Sequence, residues 1–134
     1  PIILNEADPK ISLGGFTSPE SNGKTVWQWA VVASSFVYIY TDSEDKINLH
    51  FEINPSPCKT PQNIIISEYP NKEIKIINLG ETGQKIEISL NMNRGEYVKL
   101  LYFKTNGQVC RVKGDPRDLY YEIKNVKLFD LQTN

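Results

Sequence analysis

Short stretches in which apolar and polar residues alternate strictly constrain the fold of this chain more than any other feature. The clearest stretch lies in the middle, and its apolar positions are Ile47, Leu49, Phe51 and Ile53, separated by polar residues. Successive side chains of a strand point to opposite sides, so this pattern predicts a strand with one buried and one solvated face.

Further β-like runs cover most of the remaining chain. They are residues 11–13, 26–31, 35–41, 63–68, 73–78, 85–90, 97–104 and 120–131. Clusters rich in Gly, Pro, Asn, Asp and Ser separate them, at residues 18–23, 42–45, 54–57, 69–71, 80–83, 93–95 and 106–107. Turn clusters at a spacing of roughly 8 to 12 residues are typical of a β-sandwich or barrel.

Eight or nine short antiparallel strands must bury one face each, and a second sheet is the economical cover. We therefore expect an all-β fold, a two-sheet antiparallel β-sandwich of the jelly-roll kind, with residues 1–134 forming one domain. The positions of Pro19 and Pro116 are also compatible with short helical turns over residues 19–22 and 116–119. Because the chain starts at Pro1, we expect it to be excised from a longer protein.

Charge and hydropathy exclude several classes of protein. Lys and Arg total 15 and Asp and Glu total 16, for a net charge of -1. A nucleic-acid-binding domain is expected to be basic, so no nucleic-acid partner is predicted. No apolar run approaches the roughly 18 to 20 residues of a membrane span, and the N-terminus lacks the pattern of a signal peptide.

The two cysteines, Cys58 and Cys110, both fall in predicted loops. In an oxidising compartment they could pair, and a closed loop of roughly 50 residues would contribute about 4 kcal/mol. Paired and free thiols both stay open at this point. Two isolated cysteines and the single His50 do not make a zinc site. For the acidic loop of Asp42, Glu44 and Asp45, a solvated hairpin turn is favoured over calcium binding, so no metal or cofactor is predicted.

Catalytic motifs are missing from the sequence. There is no Gly-x-Ser-x-Gly elbow, phosphate-binding glycine loop or His-Glu-x-x-His. His50 alternates with apolar residues on a predicted strand, where a histidine on the solvent face is usually not catalytic. With no nucleophile beside a base, we expect no enzymatic activity.

Trp27 and Trp29 are the only tryptophans, and side chains two apart on a strand share a face. Such a pair can pack in a core or stack on a sugar ring, and a core indole needs an internal partner for its N–H. Since Ala30 and two valines follow Trp29, the sequence favours packing in a buried strand for Trp29. For Trp27, which lies nearer a polar loop, both roles stay open.

A second polar cluster precedes the last predicted strand. Asp115 and Asp118 flank Arg117 on a loop stiffened by Pro116. Arginine forms bidentate bonds with carboxylates and can also bind sugar hydroxyls, and a structural ion pair is the favoured interpretation.

Several of these residues also form a recognisable order of motifs. Gly15-Phe16-Thr17-Ser18-Pro19-Glu20 is followed by Trp27 or Trp29, and Asp115-Pro116-Arg117-Asp118-Leu119 precedes the last strand. The order resembles the β-sandwich accessory domains of bacterial envelope glycosyltransferases and phosphoglycerol transferases, over nearly the whole chain. Tyr120 and Tyr121 stand where that pattern has a glycine and a small residue. The resemblance singles out Glu20, Asp115 and Arg117. Because the first and last strands of a sandwich are often neighbours, we expect an ion pair between Glu20 and Arg117 that holds the two ends together.

The resemblance implies a non-catalytic, carbohydrate-binding module, monomeric and facing the periplasm or cell exterior within a longer membrane or envelope protein. Its partners would be an oligo- or polysaccharide and the rest of the parent protein. The ligand-contacting candidates are Glu20, Trp27, Trp29, Asp115, Arg117 and Tyr120. A structural sandwich that packs against another domain of the parent is the alternative. An exposed tryptophan in a groove would favour the first function, and a broad apolar patch on one sheet the second.

Overall fold

The computed structural model describes residues 2–6, 11–41, 46–93, 95 and 98–133, with side chains over 11–41, 46–93, 95 and 98–129. These residues form strands connected by turns and contain no helix, hence none that could span a membrane. The strands are β1 Ile2–Glu6, β2 Ile11–Gly14, β3 Glu20–Ser21, β4 Val26–Ala30, β5 Ser34–Tyr40, β6 Lys46–Pro55, β7 Gln62–Glu68, β8 Lys72–Leu79, β9 Gln84–Asn91, β10 Val98–Thr105 and β11 Tyr121–Thr133.

Two antiparallel sheets pack face to face. The first sheet has the order β3-β4-β11-β6-β9, with β1 also paired to β11, and the second has the order β2-β5-β10-β7-β8. Strands that are neighbours in the sheet are mostly distant in sequence, as expected of a jelly roll. The all-β, two-sheet sandwich predicted from the sequence is confirmed.

The core lies between the two sheets and is built from the inward half of each alternating strand. In β6 the buried positions are the four apolar residues of the predicted pattern. They face β10 and β7, where Leu101, Phe103, Ile64 and Ile66 are fully buried. Burying a side chain of this kind contributes roughly 1.5–3 kcal/mol, so the continuous core is the main source of stability.

The last strand, β11, lies at the centre of the first sheet. One edge of β11 pairs with β6 along most of its length, and the other pairs first with β4 and then with β1. Between Lys124 and Lys127 the register with β6 shifts by one residue, and Asn125 has a φ of 52°. Such a bulge bends a strand and increases its twist, here between the segments that pair with β4 and with β1.

Each of the nine predicted runs overlaps one strand of the structure, whereas β1 and β3 were not predicted from the sequence. The suggested helical turns are wrong. Glu20–Ser21 forms strand β3, because its backbone pairs with β4, and residues 116–119 form a bend and an isolated bridge. The acidic loop of Asp42, Glu44 and Asp45 lies outside the described residues.

Candidate functional site

Both tryptophans point away from the core. In β4, Ala30 is fully buried and pairs with buried Tyr121, while Gln28 pairs with buried Ile123. Because side chains alternate along a strand, Trp27 and Trp29 project from the opposite, outer face of the first sheet. Both indoles are half-buried there.

The outer face beside the indoles is polar and its charges alternate. Across β11, Trp29 lies opposite Glu122 and Trp27 opposite Lys124. On the next strand, Asn54 pairs with Glu122 and Glu52 with Lys124. We call this surface, formed by Trp27, Trp29, Glu52, Asn54, Glu122 and Lys124, the tryptophan face. Directly opposed side chains have Cβ atoms about 4.5–5.5 Å apart, so these six residues are close neighbours.

Glu122 is the most buried group of this face. Its side chain is only 10 % exposed, although it points outward. The amide Nδ2 of Asn54 donates to its Oε1 at 3.0 Å, and Lys124 Nζ lies 3.6 Å from the same oxygen. The sequence analysis did not select Glu122, Asn54 or Lys124. Their outward positions are visible in the alternating pattern, but their proximity depends on strand order.

The indoles lack the internal partners that core tryptophans have. Over the described residues, neither indole N–H has a hydrogen-bond partner, and neither is among the buried unpaired groups. Both N–H groups therefore reach the surface. Trp29 thus lies on a strand with a buried side, as the sequence favours, but the inward position of this part of β4 belongs to Ala30 and Trp29 is not part of the core.

Residues 15–17, which precede β3, hydrogen-bond to the part of the β4 edge that β3 does not cover. The N–H of Thr17 donates to the carbonyl of Trp29 at 2.8 Å, and Thr17 Oγ1 accepts from the Trp29 N–H at 3.0 Å. Gly15, with φ of 83°, turns the chain so that its carbonyl accepts from Val31 at 3.0 Å. Phe16 enters the core edge-on to Tyr121. The motif thus fixes the backbone beneath the tryptophan face.

The predicted ion pair between Glu20 and Arg117 is confirmed. Arg117 Nη1 lies 3.3 Å from each carboxylate oxygen of Glu20. Glu20 is on β3, opposite Trp27 of β4. Arg117 Nε and Nη2 bind Asp115 at 3.0 and 2.8 Å, and these hydrogen bonds hold the pKa of Asp115 below its usual range. Asp115 also accepts from the Arg117 backbone N–H at 3.0 Å. All three guanidinium nitrogens are engaged, which favours a structural role for this trio.

The loop that carries Arg117 is tied down in two further ways. A disulfide joins Cys110 in this loop to Cys58 in the β6–β7 turn, and Cys110 and Leu119 exchange two backbone hydrogen bonds of 2.8 and 3.0 Å. Tyr120 packs partly against the core, and its carbonyl accepts from Gln62 Nε2 at 2.7 Å. Tyr120 thus has a packing role here, and its contact with a ligand stays a prediction.

Two shallow depressions continue the tryptophan face across the first sheet. One, of about 260 Å³, is lined by Glu52, Asn54, Gly83, Gln84 and Lys85. The other, of about 210 Å³, lies at the bulge and includes His50, whose buried Nε2 has no hydrogen-bond partner among the described residues. Within the described ranges, no three His, Cys, Asp or Glu side chains are grouped to hold a metal ion.

Part of the outer face of the second sheet, where β5 pairs with β10, is apolar. On β5, Phe36, Tyr38 and Tyr40 point outward, and their partners on β10 are Tyr102, Leu100 and Val98. We call these six residues the apolar face. Tyr40 and Val98 are each more than 40 % exposed. None of these six residues is charged, so the apolar face differs in chemistry from the tryptophan face on the other sheet.

No family model matches the chain, and no curated protein sequence matches it significantly. Solved structures do. A family 35 carbohydrate-binding module from Clostridium thermocellum has a TM-score of 0.52 at 7% identity, over 96% of this chain and 97% of that one. The C-terminal CBM6 of LamC, a marine laminarinase from Zobellia galactanivorans, has a TM-score of 0.50 at 7% identity, over 97% and 100%.

A third similar structure is the CBM22-1–GH10 part of a Clostridium thermocellum endo-1,4-β-D-xylanase, complexed with xylohexaose. Its TM-score is 0.50 at 11% identity, and the match covers 93% of this chain but 25% of that longer one. At such identities the likeness establishes a shared fold. The chain has the jelly-roll β-sandwich of carbohydrate-binding modules.

Proposed function

We propose that this domain is a non-catalytic carbohydrate-binding or glycan-positioning module that serves a bacterial cell-envelope polysaccharide enzyme. The observation that carries the proposal is the tryptophan face, where Trp27 and Trp29 lie half-exposed beside hydrogen-bonding side chains. An indole offers its flat apolar surface to the C–H face of a sugar, and neighbouring amides and carboxylates bind the hydroxyls. The shared fold with solved carbohydrate-binding modules supports this reading.

A binding role suits the groups of this face better than proton transfer does. The carboxylates nearest the indoles, Glu20 and Glu122, are each held by a cation, Arg117 and Lys124 respectively. The depressions beside them are shallow and open to solvent, whereas catalysis gains from a site that excludes water. The sequence also offers no nucleophile with a base beside it.

The envelope context rests on two supports. The motif order resembles accessory domains of envelope glycosyltransferases and phosphoglycerol transferases, and the Cys58–Cys110 disulfide suits an oxidising compartment. We therefore propose that the domain lies in the periplasm or at the cell surface. We further propose that it is a monomeric part of a membrane-anchored parent protein, as the resemblance implies.

The direct test is a glycan-array screen of the domain with Trp27→Ala, Trp29→Ala and a matched control. The control is Tyr40→Ala on the opposite, apolar face. We expect binding to a glycan that falls at least about tenfold in one or both tryptophan variants and is unchanged in the control. Intrinsic tryptophan fluorescence should shift with the same glycan. Absence of binding to any glycan, with no fluorescence response, would exclude this function.

The apolar face favours a second candidate function, docking against another domain of the parent protein. Contiguous exposed apolar surface on a soluble domain commonly marks an interaction site. In the intact parent, hydrogen exchange of β5 and β10 should then be slower than in the isolated domain, and Val98→Lys should abolish that difference. Equal exchange in both proteins would exclude docking through this face.

A further inference from the structure

Glu122 combines burial with a carboxylate oxygen that no donor satisfies. Its side chain is nine-tenths buried, and both polar partners, Asn54 Nδ2 and Lys124 Nζ, reach Oε1. Across the described part of the chain, Oε2 has no hydrogen bond, and it is not among the buried unpaired atoms. Oε2 is therefore accessible from outside, at the bottom of the tryptophan face.

A carboxylate in this setting has a strong demand for a donor. Burial of most of the side chain leaves little room for water around the charge, and Oε2 is the oxygen that solvent or a ligand can reach. A ligand hydroxyl that replaces water at Oε2 forms a charge-assisted hydrogen bond there. The bond is directional, so it selects among ligands that share the same apolar face.

The surrounding charges determine what kind of ligand can approach. Lys124 is already bound to Glu122 and also lies opposite Glu52, and Glu52 in turn lies opposite Lys85. At the edge of the face, Arg117 is held by Glu20 and Asp115. Each cation of this region thus has an acidic neighbour that offsets its charge, and Glu122 Oε2 is a carboxylate oxygen with no donor among the described residues. A carboxylate or phosphate on the sugar would meet it with like charge.

We propose that Glu122 makes the tryptophan face selective for uncharged glycans, with Oε2 accepting a hydrogen bond from a hydroxyl of a pyranose stacked on Trp27 or Trp29. This inference rests on the proposed carbohydrate-binding function. Asn54 is a positioning residue, since its amide fixes Oε1 and leaves Oε2 directed to the ligand. Gly83 makes room for Asn54, because a Cβ at residue 83 would lie 1.8 Å from Asn54 Oδ1.

The test is a quantitative array that contains neutral glycans together with glycans of the same backbone that carry uronic acid or phosphate groups. The wild-type domain should bind neutral members and reject their anionic counterparts. Glu122→Gln, which keeps the side-chain volume, should weaken binding to neutral glycans about tenfold or more, because it replaces a charge-assisted bond. It should also reduce the ratio of the affinity for neutral glycans to the affinity for their anionic counterparts. A merely structural role of Glu122 would not change this ratio.

Glu73→Gln is the matched control, since Glu73 is an exposed residue of β8 in the second sheet, away from the tryptophan face and its depressions. It makes the same change of charge and should alter neither affinity nor selectivity. Thermal melting of each variant reports folding. If Glu122→Gln lowers the Tm, the Gly83→Ala variant is used in its place, because the added Cβ displaces Asn54. Gly83→Ala should then reduce the ratio of neutral to anionic glycan binding.

The outcomes separate the two proposals. Binding that requires a tryptophan but is unchanged in Glu122→Gln overturns the role of Glu122 and leaves the carbohydrate-binding function standing. Preference of the wild type for anionic glycans overturns the selectivity in the same way. A domain that binds no glycan on the array overturns both.

Discussion

Loss of the Cys58–Cys110 disulfide should lower the free energy of unfolding by about 4 kcal/mol. The two cysteines are 52 residues apart, and the loop-entropy relation assigns about 4 kcal/mol at 25 °C to a loop of that length. Domains of ordinary size have a total stability of roughly 5–15 kcal/mol, so the expected loss is a large share of the whole. In thermal melting it corresponds to a fall of roughly 14 °C.

The position of the disulfide adds a local consequence. Cys110 is buried and shares two backbone hydrogen bonds with Leu119, while Cys58 is exposed in the β6–β7 turn. The crosslink therefore fastens the loop that carries Arg117. Hydrogen exchange in residues 111–118 should rise after reduction more than exchange in the core strands, under conditions where the domain stays folded.

The assay is equilibrium urea unfolding of the oxidised domain, the reduced domain and a Cys58→Ser/Cys110→Ala double variant. Serine suits the exposed position and alanine the buried one. The oxidised and reduced wild type should differ by about 4 kcal/mol, and the double variant should be insensitive to reductant. A difference below about 1 kcal/mol would refute the loop-entropy reasoning. A double variant that still responds to reductant would show that the effect does not come from this disulfide.

Three further perturbations test the elements around the tryptophan face. A double-mutant cycle of Glu20→Gln and Arg117→Met, measured by urea unfolding, should give a coupling free energy of about 0.2–1 kcal/mol, because both side chains are more than a third exposed. A coupling of zero would contradict the hypothesis that this pair holds the two ends together. Hydrogen bonds from Arg117 lower the pKa of Asp115, so the stabilisation by Asp115 is complete above the ordinary carboxyl range and is lost as the pH falls through the lowered pKa. Asp115→Asn should flatten the acid limb of a Tm-against-pH curve, and an unchanged limb contradicts this. Gly15→Ala should lower the free energy of unfolding by about 1–3 kcal/mol in urea unfolding, since φ is 83° and a Cβ would lie 3.2 Å from the Ser35 backbone. Gly23→Ala should lower it less, because φ is 88° there but the space around the residue is open. Equal losses in the two variants would exclude a contribution from the clash at Gly15.

Much of the fold follows from local patterns in the sequence. The alternation in β6 predicted both the strand and its buried side, because side-chain direction along a strand depends only on the neighbouring residues. Strands β1 and β3 were missed for complementary reasons. Glu20–Ser21 is too short to show a period, and Ile2–Glu6 lies outside any turn-bounded alternating run, so pairing with distant strands is what defines both.

The candidate site was predicted only in part. Glu20, Asp115 and Arg117 were selected and lie together, although β4 lies between β3, which carries Glu20, and β11. Glu122 was not selected, because a glutamate at an outward strand position has no distinguishing feature in the sequence. Its importance arises from burial beneath its neighbours, and burial is a property of the assembled sheet.

The sequence by itself determined that this protein is a β-sandwich, which residues of each long strand face its core, and that two tryptophans share one side of a strand. These properties depend on a period of two and on turn-forming residues, both of which are local. Only the tertiary structure decided that this side is the outer one and that β11 lies between β4 and β6. Strand order is set by pairing between segments far apart in the chain, and it is this order that places a buried carboxylate between indoles, an amide and a lysine.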